Sequence, residues 1–163
     1  MREKVALLLS GLDSEWNTVE HLVGKLRGKY GNASSGENVS EEKTVLAAYL
    51  LHNIYCALEE IFKQIAKTFE NNIDDPSRYH AELLKRMTMD IYKMRPRFIS
   101  GESFKALNEI RKFRHVFRHA YEYELEHERV NFLLQTLLQA WQPIEQDKMT
   151  FRQFLLQVLE ESL

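Results

Sequence analysis

Apolar residues return every three or four positions along most of the chain, and that period restricts the fold more than any other feature. Val5, Leu8, Leu9, Leu12, Trp16, Val19, Leu22, Val23 and Leu26 share one broad face of a helix expected over about residues 3–29. The stretch GNASSGENVS at 31–40 is a loop by composition. Ser40 is placed to cap a second helix, with Glu41 and Glu42 facing its positive end. Leu51, Ile54, Tyr55, Leu58, Ile61, Phe62, Ile65 and Phe69 carry that helix to about Glu70. Asp75-Pro76 reads as the N-cap and first-turn proline of a third helix, expected to reach about Tyr92 before Pro96 breaks it. Ser100 caps a fourth. A fifth is expected over about 125–141, with Pro143 and Asp147 as punctuation before a short C-terminal helix bearing Phe151, Phe154, Leu155 and Val158.

No segment alternates at period two, as a half-buried strand would. With 44% hydrophobic residues in 163, the chain can fill one core, so the expected fold is a single all-α domain, 1–163, a bundle of five to six helices.

The net charge is −2, which gives no global sign of a nucleic-acid binder. Its distribution is less even. Residues 85–119 hold ten Lys/Arg against three Asp/Glu, a local +7 that leaves −9 for the rest. A basic segment on an acidic body suits a local anionic ligand. The lone cysteine, Cys56, forms no intramolecular disulfide and fits a reducing compartment. The apolar run near the N-terminus is too short for a signal peptide, and the run VLAAYLL at 45–51 is too short to span a bilayer. The expectation is a soluble, cytoplasmic protein without a membrane partner.

The segment RKFRHVFRHAYEYEL, residues 111–125, concentrates three arginines, two histidines and two tyrosines among its apolar positions. On one continuous helix Ile110, Phe113, Val116, Phe117 and Ala120 form an apolar face, while Arg114 and Tyr121 lie nearly in line. His119 would then point about 140° away from Arg114. Convergence on one ligand therefore requires the helix to end near His119, or two copies of the chain to complete each other's site. Arginine offers a permanent charge and a planar donor fork that matches phosphate oxygens. Histidine exchanges protons near neutral pH. Together they suit cleavage of an RNA phosphodiester: an imidazole moves protons at the 2′-hydroxyl or the leaving oxygen, and a guanidinium balances charge growing on phosphoryl oxygens. The scheme requires no metal and no cofactor. Arg111, His115 and Arg118 are candidates to extend a phosphate track.

Arg114-x-x-x-x-His119-x-Tyr121 resembles the R-x-x-x-x-H-x-Y motif of HEPN-domain ribonuclease toxins of the HepT type. The segments AAYLLHNIYCALEEIFKQIA at 47–66 and FRHVFRHAYEYELEHERV at 113–130 extend the resemblance to about residues 40–140. The resemblance implies an antiparallel helical bundle that forms a homodimer, with the motifs of both chains meeting in a cleft. It implies metal-independent endoribonuclease activity that is toxic to the host cell. It also implies a partner, an MNT-type nucleotidyltransferase antitoxin that silences the nuclease by adenylylating the motif tyrosine. Carried over, Arg114 and His119 are catalytic, and Tyr121 is both a cleft residue and the acceptor of AMP. An AMP group there would set negative charge and bulk beside Arg114 and exclude RNA.

Two other classes compete. The same bundle could be a non-catalytic module that binds nucleotide or docks a nucleotidyltransferase. A metal-binding bundle is the third reading. His115 and His119, four apart, can pair on a metal, and Glu124-x-x-His127 matches half of a di-iron motif, but no further ligands complete either set. His21, His52 and His80 are scattered and read as structural. Glu59 or Glu60 can orient an arginine or face solvent.

Overall fold

The computed structural model describes residues 2–30, 40–70, 78–119 and 124–161. Within them lie five helices: α1 (Arg2–Tyr30), α2 (Glu41–Phe69), α3 (Tyr79–Met87), α4 (Gly101–Arg118) and α5 (His127–Glu160). They make an all-α five-helix bundle. The first two helices agree with the apolar spacing to within a residue or two. Ser40 caps α2 by accepting the Lys43 N–H at 3.3 Å.

The core is organised around α2, which packs against all four other helices. By length and composition α2 is apolar enough to cross a membrane, with a mean hydropathy of 1.3 in its most apolar window. Here its apolar side chains, from Leu51 to Phe69, are covered by the bundle instead. Each large apolar side chain so buried stabilises by about 1.5–3 kcal/mol. Trp16 of α1 stacks on Trp141 of α5 at 5.4 Å between ring centroids. Phe62, Phe69, Phe98 and Phe151 meet in edge-to-face contacts around the C-terminal part of α2.

Three expectations are corrected. The third helix ends at Met87, short of Tyr92, because the Met87 carbonyl accepts the N–H groups of Phe98 at 2.8 Å and Ile99 at 2.9 Å. The chain between makes a turn closed by the Ile91–Arg95 bridge, with Lys93 at φ 58°. Asp75 and Pro76 lie outside the described residues. The fifth and sixth expected helices are one, since α5 runs through Pro143 without a break. Its buried face continues from Val130 through Ile144 to Leu155, and burial along that face outweighs the one hydrogen bond proline cannot donate. Asp147 does not punctuate either. Its Oδ2 accepts from both the N–H and the hydroxyl of Ser100, each at 2.9 Å. It thereby fastens α5 to the start of α4, whose N-cap is Ser100.

A buried arginine fixes the turn before α4. Arg95, 3% exposed, pairs with Glu70 at the end of α2. It also donates to the carbonyls of Arg86, Met89 and Pro96 at 3.1–3.2 Å. The α2 C-terminus, α3 and the approach to α4 are thus held by one guanidinium.

Candidate functional site

The basic segment folds as α4, and its buried stripe sets which way its charges face. Ile110 and Phe113 enter the core, Phe117 is half-buried, and Val116 is exposed rather than part of the apolar face. The last helical residue is Arg118. His119 stands as the C-cap at φ −110° and ψ 23°, its N–H bonded to the His115 carbonyl at 3.2 Å and to that of Val116 at 3.3 Å. The helix therefore ends near His119, which is one of the two arrangements that would let Arg114 and His119 converge.

Both residues line one hollow of about 290 Å³. One wall is α4, contributing Arg111, Arg114, His115, Arg118 and His119. The rest of the lining comes from the start of α3, with Arg78, His80 and Ala81. Four arginines and three histidines thus line the hollow, and among the described residues no carboxylate does. Such a wall attracts anions. The rings of His115 and His119 lie 4.6 Å apart. Ala120 and Tyr121 lie outside the described residues.

Beneath the hollow sits Glu59 of α2, 1% exposed. Its Oε1 accepts from Arg114 Nη1 at 3.1 Å, and its Oε2 lies 2.7 Å from His80 Nδ1. Arg114 Nη1 also rests against the His80 ring, 2.6 Å from Nδ1 and 3.0 Å from Nε2. Lys63 approaches the same carboxylate at 3.8 Å. One buried acid therefore anchors a guanidinium from α4 and an imidazole from α3. Glu60, its neighbour, is exposed and pairs with Lys63 at 3.4 Å.

The turns of α2 that precede Glu59 complete the seam with α4. His52 stacks on Phe117 at 4.7 Å and lies 3.6 Å from Cys56 Sγ. Burial, reinforced by the charges of Arg114 and Arg118, holds the His52 ring below its ordinary pKa. Burial likewise pushes the Cys56 thiol up, which argues against a nucleophilic thiolate. Tyr55, deeply buried, has its phenol pushed up by desolvation and by Glu59. Among the described residues His52 Nδ1, the Tyr55 hydroxyl and Arg114 Nε are buried without a hydrogen-bond partner.

No three His, Cys, Asp or Glu residues are grouped to hold a metal among the described residues. His127, half of the sequence's di-iron fragment, has its Nδ1 3.1 Å from the Thr44 hydroxyl.

His80 and Arg78 escaped the sequence reading. His80 lies 34 positions from Arg114 and 21 from Glu59, so no local spacing joins them. The one available signal was Glu59 itself, an acid on a helix face otherwise made of Tyr55, Leu58 and Phe62.

No curated protein and no solved structure matches the chain. A family model described as HepT-like protein matches residues 46–155, which runs from within α2 through most of α5 and includes every residue of the hollow. That match covers about two thirds of the 163 residues, and the chain belongs to the HepT-like protein family, a family of HEPN toxins.

Proposed function

We propose that this protein is the toxin of a HEPN/MNT toxin–antitoxin pair and acts as an endoribonuclease. The observation that carries the reading is the shared hollow: Arg114 and His119 open onto one basic concavity within a single chain. Family membership supports the same chemistry. In this reading the guanidinium of Arg114 holds phosphoryl oxygens and balances the charge that grows on them, an effect whose loss costs on the order of 3 kcal/mol. His119 moves a proton at the reacting oxygens, worth roughly 10²–10⁴ in rate. Arg111, His115 and Arg118 continue the phosphate track on the same wall. No step in this scheme calls on a metal.

The working unit is a homodimer. Its support is a groove of about 470 Å³ beside the end of α4, with an apolar lining of Val45, Leu46, Tyr49 and Phe117 and the carboxylates of Glu41 and Glu42 at its edge. Tyr49 is half exposed, and Val116 projects nearby on α4. Such a surface is the kind a second copy covers. An MNT-type nucleotidyltransferase partner adenylylates Tyr121, which follows His119 by two positions. Added phosphate there would occupy the arginines and repel RNA.

Expression of the chain alone should arrest growth, and purified protein should cut RNA in the presence of EDTA. His119→Ala should lose at least 10²-fold of that activity while its helical signal is unchanged. Undiminished cleavage by His119→Ala in EDTA sinks the assignment. Co-expression with a cognate nucleotidyltransferase should add AMP mass to the peptide that contains Tyr121.

A further inference from the structure

Cleaving an RNA phosphodiester through its 2′-hydroxyl takes two proton transfers. One proton leaves the attacking 2′-oxygen and one arrives on the departing 5′-oxygen. In an in-line displacement these oxygens lie on opposite sides of phosphorus. A lone imidazole on one wall is well placed for one of them. His119 and His115 share a wall, at the end of α4. His80, from the start of α3, lines the same hollow.

His80 is held as a proton-transfer residue is held. Its Nδ1 lies 2.7 Å from Oε2 of Glu59, a carboxylate 1% exposed. With Nδ1–H donating to that carboxylate, Nε2 is left as the exchanging atom. The carboxylate also balances the charge of the ring when both nitrogens are protonated, the state from which a proton donor starts. Arg114 Nη1 rests against the same ring, 2.6 Å from Nδ1 and 3.0 Å from Nε2. An anion held by that guanidinium therefore sits beside the His80 ring.

We propose that His80, oriented by Glu59, is the general acid of the site, acting in the same hollow as His119; the assignment rests on the ribonuclease reading. His119 takes the 2′-hydroxyl proton as the 2′-oxygen bonds to phosphorus. The bond from phosphorus to the 5′-oxygen breaks, and protonated His80 gives that oxygen its proton. The products are a 2′,3′-cyclic phosphate and a 5′-hydroxyl end, with one proton taken up and one released.

The test uses a short RNA that the wild-type chain cuts, and the same RNA with sulfur replacing the bridging 5′-oxygen at the mapped cut. A thiolate leaves without being protonated, so it bypasses a general acid. His80→Asn, which keeps a donor near the position of Nδ1, should slow cleavage of the oxygen substrate by about 10²–10⁴-fold. It should cut the sulfur substrate within about tenfold of the wild-type rate, since only the proton-donation step is removed. His119→Ala should be slow on both substrates. The sulfur-to-oxygen rate ratio is internal to each preparation, so partial misfolding cancels, and His80→Ala serves equally if the Asn variant is poorly made. Wild-type rates for His80→Asn on the oxygen substrate overturn the assignment. So does equal slowing on both substrates, which marks His80 as a brace for Arg114 only. If wild-type chain cuts no RNA, the ribonuclease reading falls and this assignment falls with it.

Discussion

Glu59 on α2 holds Arg114 on α4 across 55 positions of sequence, Oε1 to Nη1 at 3.1 Å, with the acid sealed beneath the hollow. The guanidinium is thereby aimed before any ligand arrives, which is how preorganised charge stabilisation works. The same contact makes Arg114→Ala a poor probe of chemistry. It takes from a buried carboxylate its arginine and leaves it with His80 and Lys63, and breaking a buried pair costs about 3 kcal/mol. Urea melts should show Arg114→Ala clearly less stable than Arg114→Lys, which keeps a cation near Glu59. Equal midpoints would mean that the pair contributes nothing to the fold.

Arg95 and Glu70 make a second buried tie. Replacing Glu70 with Gln leaves the Arg95 charge in the interior with carbonyl partners alone. The expected loss is about 3 kcal/mol, and thermal unfolding would register it as a drop of several degrees in Tm. Because the tie sits at the turn leading into α4, the loss should come with faster amide exchange over residues 88–99. A Tm within a degree of wild type would show that the pair is dispensable.

Pro143 interrupts the hydrogen-bond ladder of α5. Pro143→Ala restores an N–H that can reach the Gln139 carbonyl. A gain of about 1–3 kcal/mol in unfolding free energy is expected. A destabilised Ala variant would mean that the helix needs the proline's local geometry to seat Trp141 and Ile144.

His52 makes stability depend on pH. Burial first, and then the positive charges of Arg114 and Arg118, lower its pKa in the folded state below 6.5. In the unfolded chain the ring takes a proton near 6.5, whereas the folded ring resists it. The unfolded state binds more protons in that window, so stability falls as pH drops below 6.5. His52→Gln should flatten that slope in denaturant titrations. An unchanged slope assigns the pH dependence elsewhere.

Much of this was legible in one dimension. The apolar spacing of α1 and α2, the caps at Ser40 and Ser100, and a helix end near His119, one of two arrangements left open, are local features, written in residues a few positions apart. What the chain could not disclose was set by tertiary packing. Pro143 reads as a stop because its missing N–H is a local fact, while the buried face that overrides it is not. His80 reads as one more scattered histidine because Glu59 and Arg114 reach it only through the crossing of three helices. Tyr121 falls outside the described residues, and its role rests on the motif alone.

The last helix packs against the first, and Arg152 grips Asp13 at 2.9 Å across 139 positions. A nascent chain on the ribosome therefore cannot seal its interior until α5 has emerged. During synthesis α1 can meet α2 early, but its flank toward α5 stays open until that helix is made.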